Sequence, residues 1–200
     1  MRFYLSLTLL FSYLAFPAYA DATVCRPFFD SMRSHALAIL HDPAMRYVQK
    51  RDALSRLFDN AVDGTWVAHF VAGAAWRTAT EGERRDFVAA YRAWLPLNYV
   101  GALDEDDINN MQGIDLASFT VGGPSVFYAR TRVTQKDAEP IAIDFRLEED
   151  PPGVCHVRDF TIEGVSLLTS QREQIQTLTA NGGLAAVTAQ LKSIAVTKSQ

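Results

Sequence analysis

The side chains able to do chemistry in this chain are few and scattered. Its four histidines, His35, His41, His69 and His156, are not spaced as H-E-x-x-H, nor do they join the cysteines in a metal-binding pattern. The sequence therefore implies no zinc site and no cofactor. His35 and His69 fall in stretches of helical periodicity, where an imidazole reads as a packing residue. Gly164-Val165-Ser166 reproduces half of a nucleophile elbow, but Leu168 stands where G-x-S-x-G requires glycine. The acidic run Asp104-Glu105-Asp106-Asp107, tried as a calcium loop, puts Ile108 at the fifth position and Asn109 where glycine must turn the chain. It reads instead as a solvated helix end. Gly122-Gly123 and Gly182-Gly183 are followed by no Lys-Ser/Thr pair, so they read as turns and not as phosphate loops. One catalytic arrangement stays open: Asp144 or Asp159 near Tyr128 could do general acid–base work in a pocket.

The two cysteines point elsewhere. The chain begins with Arg2, an apolar run from Phe3 to Ala15, Pro17, and then Ala18-Tyr19-Ala20, a small-x-small cleavage signal. Residues 1–20 thus have the pattern of a secretory signal peptide, and residues 21–200 form one soluble domain. The apolar run is shorter than the roughly 20 residues a membrane span needs; an uncleaved anchor is the rival reading. Val24 precedes Cys25, which does not suit a lipid-modified cysteine. In an oxidising compartment Cys25 and Cys155 are expected to pair, with two buried thiols as the alternative. With 19 basic and 23 acidic residues the formal charge is −4, and removal of Arg2 makes it more negative. No basic stripe or polybasic helix exists to bind nucleic acid or an anionic membrane surface.

The first half reads as helices. Pro27 in a first turn is followed by Phe28, Met32, Ala36 and Ile39 or Leu40 at helical spacing. Asp42-Pro43 is expected to open a second helix with Met45, Val48, Leu54, Leu57, Phe58 and Ala61 on its apolar face. A third starts at Asp63 and carries Trp66, Phe70 and Trp76. Thr80 and Glu83 make a capping box for a fourth, with Phe87, Tyr91, Trp94 and Leu95 on one face. Pro96 should kink it, and Leu97, Tyr99 and Leu103 carry it on.

The second half changes period from helical to two. Phe127, Ala129, Thr131 and Val133 alternate with Tyr128, Arg130 and Arg132, and Ile141, Ile143, Phe145 and Leu147 alternate with Asp144, Arg146 and Glu148. Pro151-Pro152-Gly153 turns into a strand over 154–162, and Gly122-Gly123-Pro124 closes an earlier strand over 114–121. Helix returns after Leu168, split at Gly182-Gly183. The expected fold is α+β: amphipathic helices on a curved antiparallel sheet of three to four strands, enclosing an apolar pocket.

Two blocks of residues form a pattern of their own. The first is Asp63, Gly73, Trp76, Arg77-Thr78-Ala79-Thr80, Glu83-Arg84 and Phe87, continued by Tyr91-Arg92, Leu95, Tyr99 and Leu103. The second is Val157, Asp159 and Ile162-Glu163-Gly164-Val165-Ser166-Leu167, then Arg172, Gly182-Gly183, Leu184 and Leu191. Together they resemble the MlaC family of toluene-tolerance-type periplasmic phospholipid-binding proteins, over roughly residues 54–191. This chain departs from it at Ala72, where the family usually has Leu, at Cys155, where it has Trp, and at Arg158, where it has an aromatic.

The resemblance implies a monomeric periplasmic carrier of phospholipid or another membrane lipid, hopanoids included. Such a carrier shuttles between an outer-membrane lipoprotein complex and an inner-membrane MCE-domain ABC transporter, and performs no reaction itself. Trp66, Phe70, Trp94, Tyr99, Phe127, Val133, Ile143 and Phe145 are the candidate lining. Two readings of another class stay beside it: an enzyme using the same pocket, and an envelope adaptor whose pocket is filled by its own side chains.

Overall fold

A computed structural model describes residues 24–180 and 182–198; the expected signal segment, residues 1–20, lies outside them. The order of elements follows the change of period. Helices α1 (Cys25–His41), α2 (Tyr47–Ala61), α3 (Gly64–Ala72), α4 (Ala74–Thr78), α5 (Glu81–Tyr99) and α6 (Glu105–Asn110) come first. Strands β1 (Met111–Val121), β2 (Val126–Gln135), β3 (Ala138–Glu149), β4 (Cys155–Ile162) and β5 (Val165–Ser166) follow, and α7 (Leu167–Thr179) and α8 (Gly183–Lys198) close the chain. The strands form one antiparallel meander in the order β1-β2-β3-β4-β5. This is the expected α+β fold, with one strand more than three to four.

The local chemistry explains where the elements begin and end. Asp42 does not cap a helix: its carboxylate accepts the Ala44 N–H at 2.8 Å and makes a turn. Helix α2 begins only at Tyr47, where Gln49 reaches back to accept the Arg46 N–H at 2.9 Å. Asp63 caps α3 by accepting the Trp66 N–H at 3.0 Å. The single helix expected from Asp63 through Trp76 is broken at Gly73, whose φ of 53° ends α3 and starts α4. Thr80 and Glu83 form the expected capping box, the Glu83 N–H donating to Thr80 and the Thr80 N–H to Glu83. Helix α5 accommodates Pro96 but stops at Tyr99, short of Leu103; the Val100 and Gly101 N–H groups both donate to the Pro96 carbonyl. The acidic run starts α6, with Asp104 and Asp107 exchanging capping bonds of 2.8 and 3.0 Å. Negative charge at a helix N-terminus is the favourable end for the macrodipole.

The fifth strand comes from a two-residue turn. Glu163 and Gly164 both have positive φ, 47° and 82°, as a type I′ hairpin requires. It folds Val165 and Ser166 back onto Ile162 and Thr161. In β2, Phe127, Ala129, Thr131 and Val133 are buried and Tyr128, Arg130 and Arg132 exposed, as the alternation predicts. A bulge in β4 explains a buried charge: Leu147 pairs with Val157 and Arg146 with Asp159, leaving Arg158 as the extra residue. Its side chain is only 1 % exposed, donates to Asp63 at 2.7 Å and Asp150 at 3.2 Å, and lies 4.6 Å from the Trp66 ring centre. At this position the chain buries a planar guanidinium against an indole.

Cys25 and Cys155 are joined by a disulfide that ties the start of α1 to β4 across 130 residues of chain. Among the described residues, no helix is long and apolar enough to cross a membrane.

Candidate functional site: an apolar cleft between two helices and the sheet

Helices α1 and α2 pack against the sheet but leave a gap beside it. Between them is a cavity of about 180 Å³. Helix α1 contributes Phe29, Met32, Arg33, Ala36 and Leu40, and α2 contributes Leu54, Leu57, Phe58 and Ala61. Both sets follow the three-four spacing of one helix face. Val100 and Leu103 come from the segment after α5, Met111 and Ile114 from β1, Phe145 from β3 and Phe160 from β4. Most of these side chains are half-buried instead of closed off, so the cavity opens to solvent. Its floor is aromatic. Phe145 meets Phe29 and Phe160 edge-on at 5.2 Å each, and Phe58 stacks on Phe160 at 5.5 Å.

Behind Phe58 and Phe160 lies a smaller cavity of about 20 Å³, bordered by Tyr99, Arg158, Asp159 and Gln171. There the Tyr91 hydroxyl donates to the Gln171 amide oxygen, and the Gln171 amide nitrogen donates to the Tyr99 oxygen. Burial pushes the Tyr91 phenol well up and that of Tyr99 up to about 12. Both are therefore neutral hydrogen-bonding groups at physiological pH. Asp159 accepts the Ser166 hydroxyl at 2.6 Å and the Leu168 N–H at 2.9 Å. Ser166 in turn accepts the Thr169 N–H at 3.1 Å, so the Gly-x-Ser segment is the cap of α7. Asp144 stands 3.7 Å from Arg130. Neither Asp144 nor Asp159 lines the larger cleft.

Of the eight aromatic and aliphatic residues singled out from the sequence, Phe145 lines the larger cleft and Tyr99 the smaller cavity. Trp66 and Phe70 stack on each other at 5.3 Å and border a surface groove beside His69, Arg77 and Arg172. Trp94 packs where α7 and α8 meet, near Ile175 and Leu191. Phe127 and Val133 are closed inside the core, and Ile143 is half-buried on β3. The larger part of the cleft wall comes from Met32, Leu54, Leu57, Phe58, Leu103, Met111, Ile114 and Phe160. Several of these were legible as apolar helix faces; nothing in their spacing distinguishes a face that meets a partner from one that meets a cleft.

Amphipathic helices laid over an antiparallel meander, with an apolar cleft left between them, define an α+β domain built around a hydrophobic cavity. The chain belongs to the MlaC protein family, whose model matches residues 30–193 and so takes in most of α1 as well as the two sequence blocks. Among solved structures it is similar to the phospholipid-binding protein from Ralstonia solanacearum, determined in complex with a phospholipid. The two share 22% identity, with 90% of this chain and 100% of that chain covered and a TM-score of 0.72. At that identity the likeness is one of fold.

Proposed function

We propose that this protein is a lipid carrier that holds acyl chains in the cleft between α1, α2 and the sheet, without chemical change to its cargo. The observation that carries this reading is an apolar wall left open to solvent, with Met32, Leu54, Leu57 and Ile114 only half-buried. A folded domain normally closes such surface on itself. A two-chain lipid has about 30 methylenes, and at ~0.8 kcal/mol each its bare passage through water costs on the order of 25 kcal/mol. A carrier offsets that cost by supplying apolar contact. The phospholipid bound to the fold relative from Ralstonia solanacearum supports the same cargo class here.

The cleft of about 180 Å³ is smaller than the roughly 300–1,000 Å³ of sites that enclose drug-sized ligands. Loading two chains therefore requires the wall to move. The Cys25–Cys155 bond holds the start of α1 against β4, so α2 is the element that swings outward. The disulfide also favours an oxidising compartment. Together with the leader pattern of residues 1–20 and family membership, it supports a periplasmic location. In this reading the protein passes lipid, as a monomer, between an outer-membrane lipoprotein complex and an inner-membrane MCE-domain ABC transporter.

Native mass spectrometry of protein purified from periplasm, with extraction of the lipid, tests the carrier reading. Stoichiometric phospholipid, or a polycyclic lipid such as a hopanoid, is the expected result and names the cargo. Empty protein that also takes up nothing from vesicles overturns it.

A further inference from the structure

The groove beside Trp66 and Phe70 shares no lining residue with the cleft between α1, α2 and the sheet, and its chemistry differs. It is a trough of about 410 Å³ formed by α3, α4 and α7. Its bed is the stacked pair Trp66 and Phe70, and its walls carry His69, Arg77, Arg172 and Gln176. Among the described residues no acidic side chain lines it, although the whole chain has a formal charge of −4. His69, Arg77 and Gln176 are exposed, and Arg172 is half-buried. Arg26, Arg85, Arg130 and Arg158 each stand beside a carboxylate. Among the described residues, Arg77 and Arg172 form no such ion pair.

Arg172 is nevertheless held in place. Its guanidinium lies 4.6 Å from the Phe70 ring centre, and Phe70 lies nearly parallel to Trp66 at 5.3 Å. Trp66 in turn meets the guanidinium of Arg158 at 4.6 Å, which Asp63 and Asp150 fix at 2.7 and 3.2 Å. The series runs from a buried ion pair out to a cation without a counter-charge. Stacking occupies a face of the guanidinium and leaves its N–H edges available. Those edges match the paired oxygens of a carboxylate, and a fork already oriented loses less freedom on binding one.

We infer that this groove docks an acidic segment of a partner protein, with carboxylates on Arg77 and Arg172 and an apolar side chain against Trp66 and Phe70. An open trough between two helices suits a length of chain, where an enclosed pocket would suit a free small acid. Two guanidiniums fall short of the clusters of roughly four to eight basic residues that anionic membranes attract. A partner held here shares no wall with the lipid cleft, so cargo can enter or leave while the protein is docked.

The test lets the groove choose its ligand. Short random peptides displayed on phage are selected on wild type and, in parallel, on the Arg77→Gln/Arg172→Gln double variant. Wild type is expected to enrich sequences that combine Asp or Glu with an apolar residue, and the double variant to lose that enrichment. A synthetic copy of a selected peptide should bind the double variant about tenfold more weakly or worse, the scale of charge-assisted hydrogen bonds. Its binding to wild type should weaken as salt is raised. Arg130→Gln, which removes an exposed charge outside the groove, should bind as wild type does. Thermal melts establish that each variant is folded, and Arg77→Gln alone, at an exposed position, carries the comparison if the double variant is not. Enrichment of basic or uncharged peptides, no enrichment, or acidic peptides held equally by the double variant overturns the inference. If no acidic peptide is enriched but succinate raises the melting temperature of wild type and not of the double variant, the groove takes a free acid and the docking assignment falls. Binding to phosphatidylglycerol vesicles that needs both arginines, again without acidic peptides, makes it a membrane contact and overturns it likewise. Lipid uptake by the double variant should equal that of wild type, so the carrier reading is judged separately.

Discussion

Asp63 illustrates how much of this molecule rests on single polar contacts. Burial works against its charge, but the Trp66 N–H, the Arg158 guanidinium and the charge of His156 together hold its carboxyl below the ordinary value of 3.8. A carboxyl whose folded pKa is depressed adds stability that is present above its unfolded pKa and lost as pH falls through the folded value. The stability difference between wild type and Asp63→Asn should therefore be constant above about pH 5 and shrink as pH falls below 3.8. Denaturant titrations at a series of pH values read this directly; a difference that grows toward acid would contradict it. Asp63 was legible from sequence as a cap. Its second role was not, because Arg158 lies 95 residues away and turns inward only through the β4 bulge.

At the scale of elements, the break between α3 and α4 and the wall of α2 make two predictions. Gly73 has φ 53° and ψ −123°, a region that residues with a Cβ rarely enter, and a Cβ there would stand 2.6 Å from Gln176 Nε2. Gly73→Ala should cost about 1–3 kcal/mol by thermal or urea unfolding. Pairing it with Gln176→Ala should recover only a minor part, since the far end of Gln176 can move and the backbone strain remains. Leu57 is a half-buried part of the cleft wall. Leu57→Trp should fill the cavity, cutting lipid uptake from vesicles at least tenfold while the melting temperature holds or rises; unchanged uptake would place the cargo elsewhere. The capping boxes at Thr80 and the alternation of β2 were legible because they depend on residues three or two positions apart. The start of α2 was not, because an Asp before a Pro suits a turn as well as a helix cap, and Asp42 takes the turn.

For the molecule as a whole, the disulfide is the longest-range constraint. Closing a loop of 130 residues contributes about 5 kcal/mol on the chain-entropy model, and loss of a native disulfide costs about 2–5 kcal/mol. The Cys25→Ser and Cys155→Ser double variant should show that loss as a lower urea midpoint. If α1 is the fixed wall and α2 the moving one, the variant should also release lipid faster, because both walls are then free. An unchanged release rate would separate the disulfide's role in stability from any role in holding cargo.

The change from helical to twofold period, the helix caps and the two family blocks were enough by themselves to set the α+β class and to point to the family. Each depends on residues close in the chain or on a motif carried over most of its positions. The location of the cleft was decided only by the tertiary structure. Phe127 and Phe145 are both inward-facing aromatics on neighbouring strands, yet one is sealed in the core and the other lines an open cavity. A side chain's period reports which face of its element is apolar. Whether that face is filled depends on how closely the opposing helices approach along their whole length, and in this protein α1 and α2 touch the sheet but leave a gap beside Phe145 and Phe160.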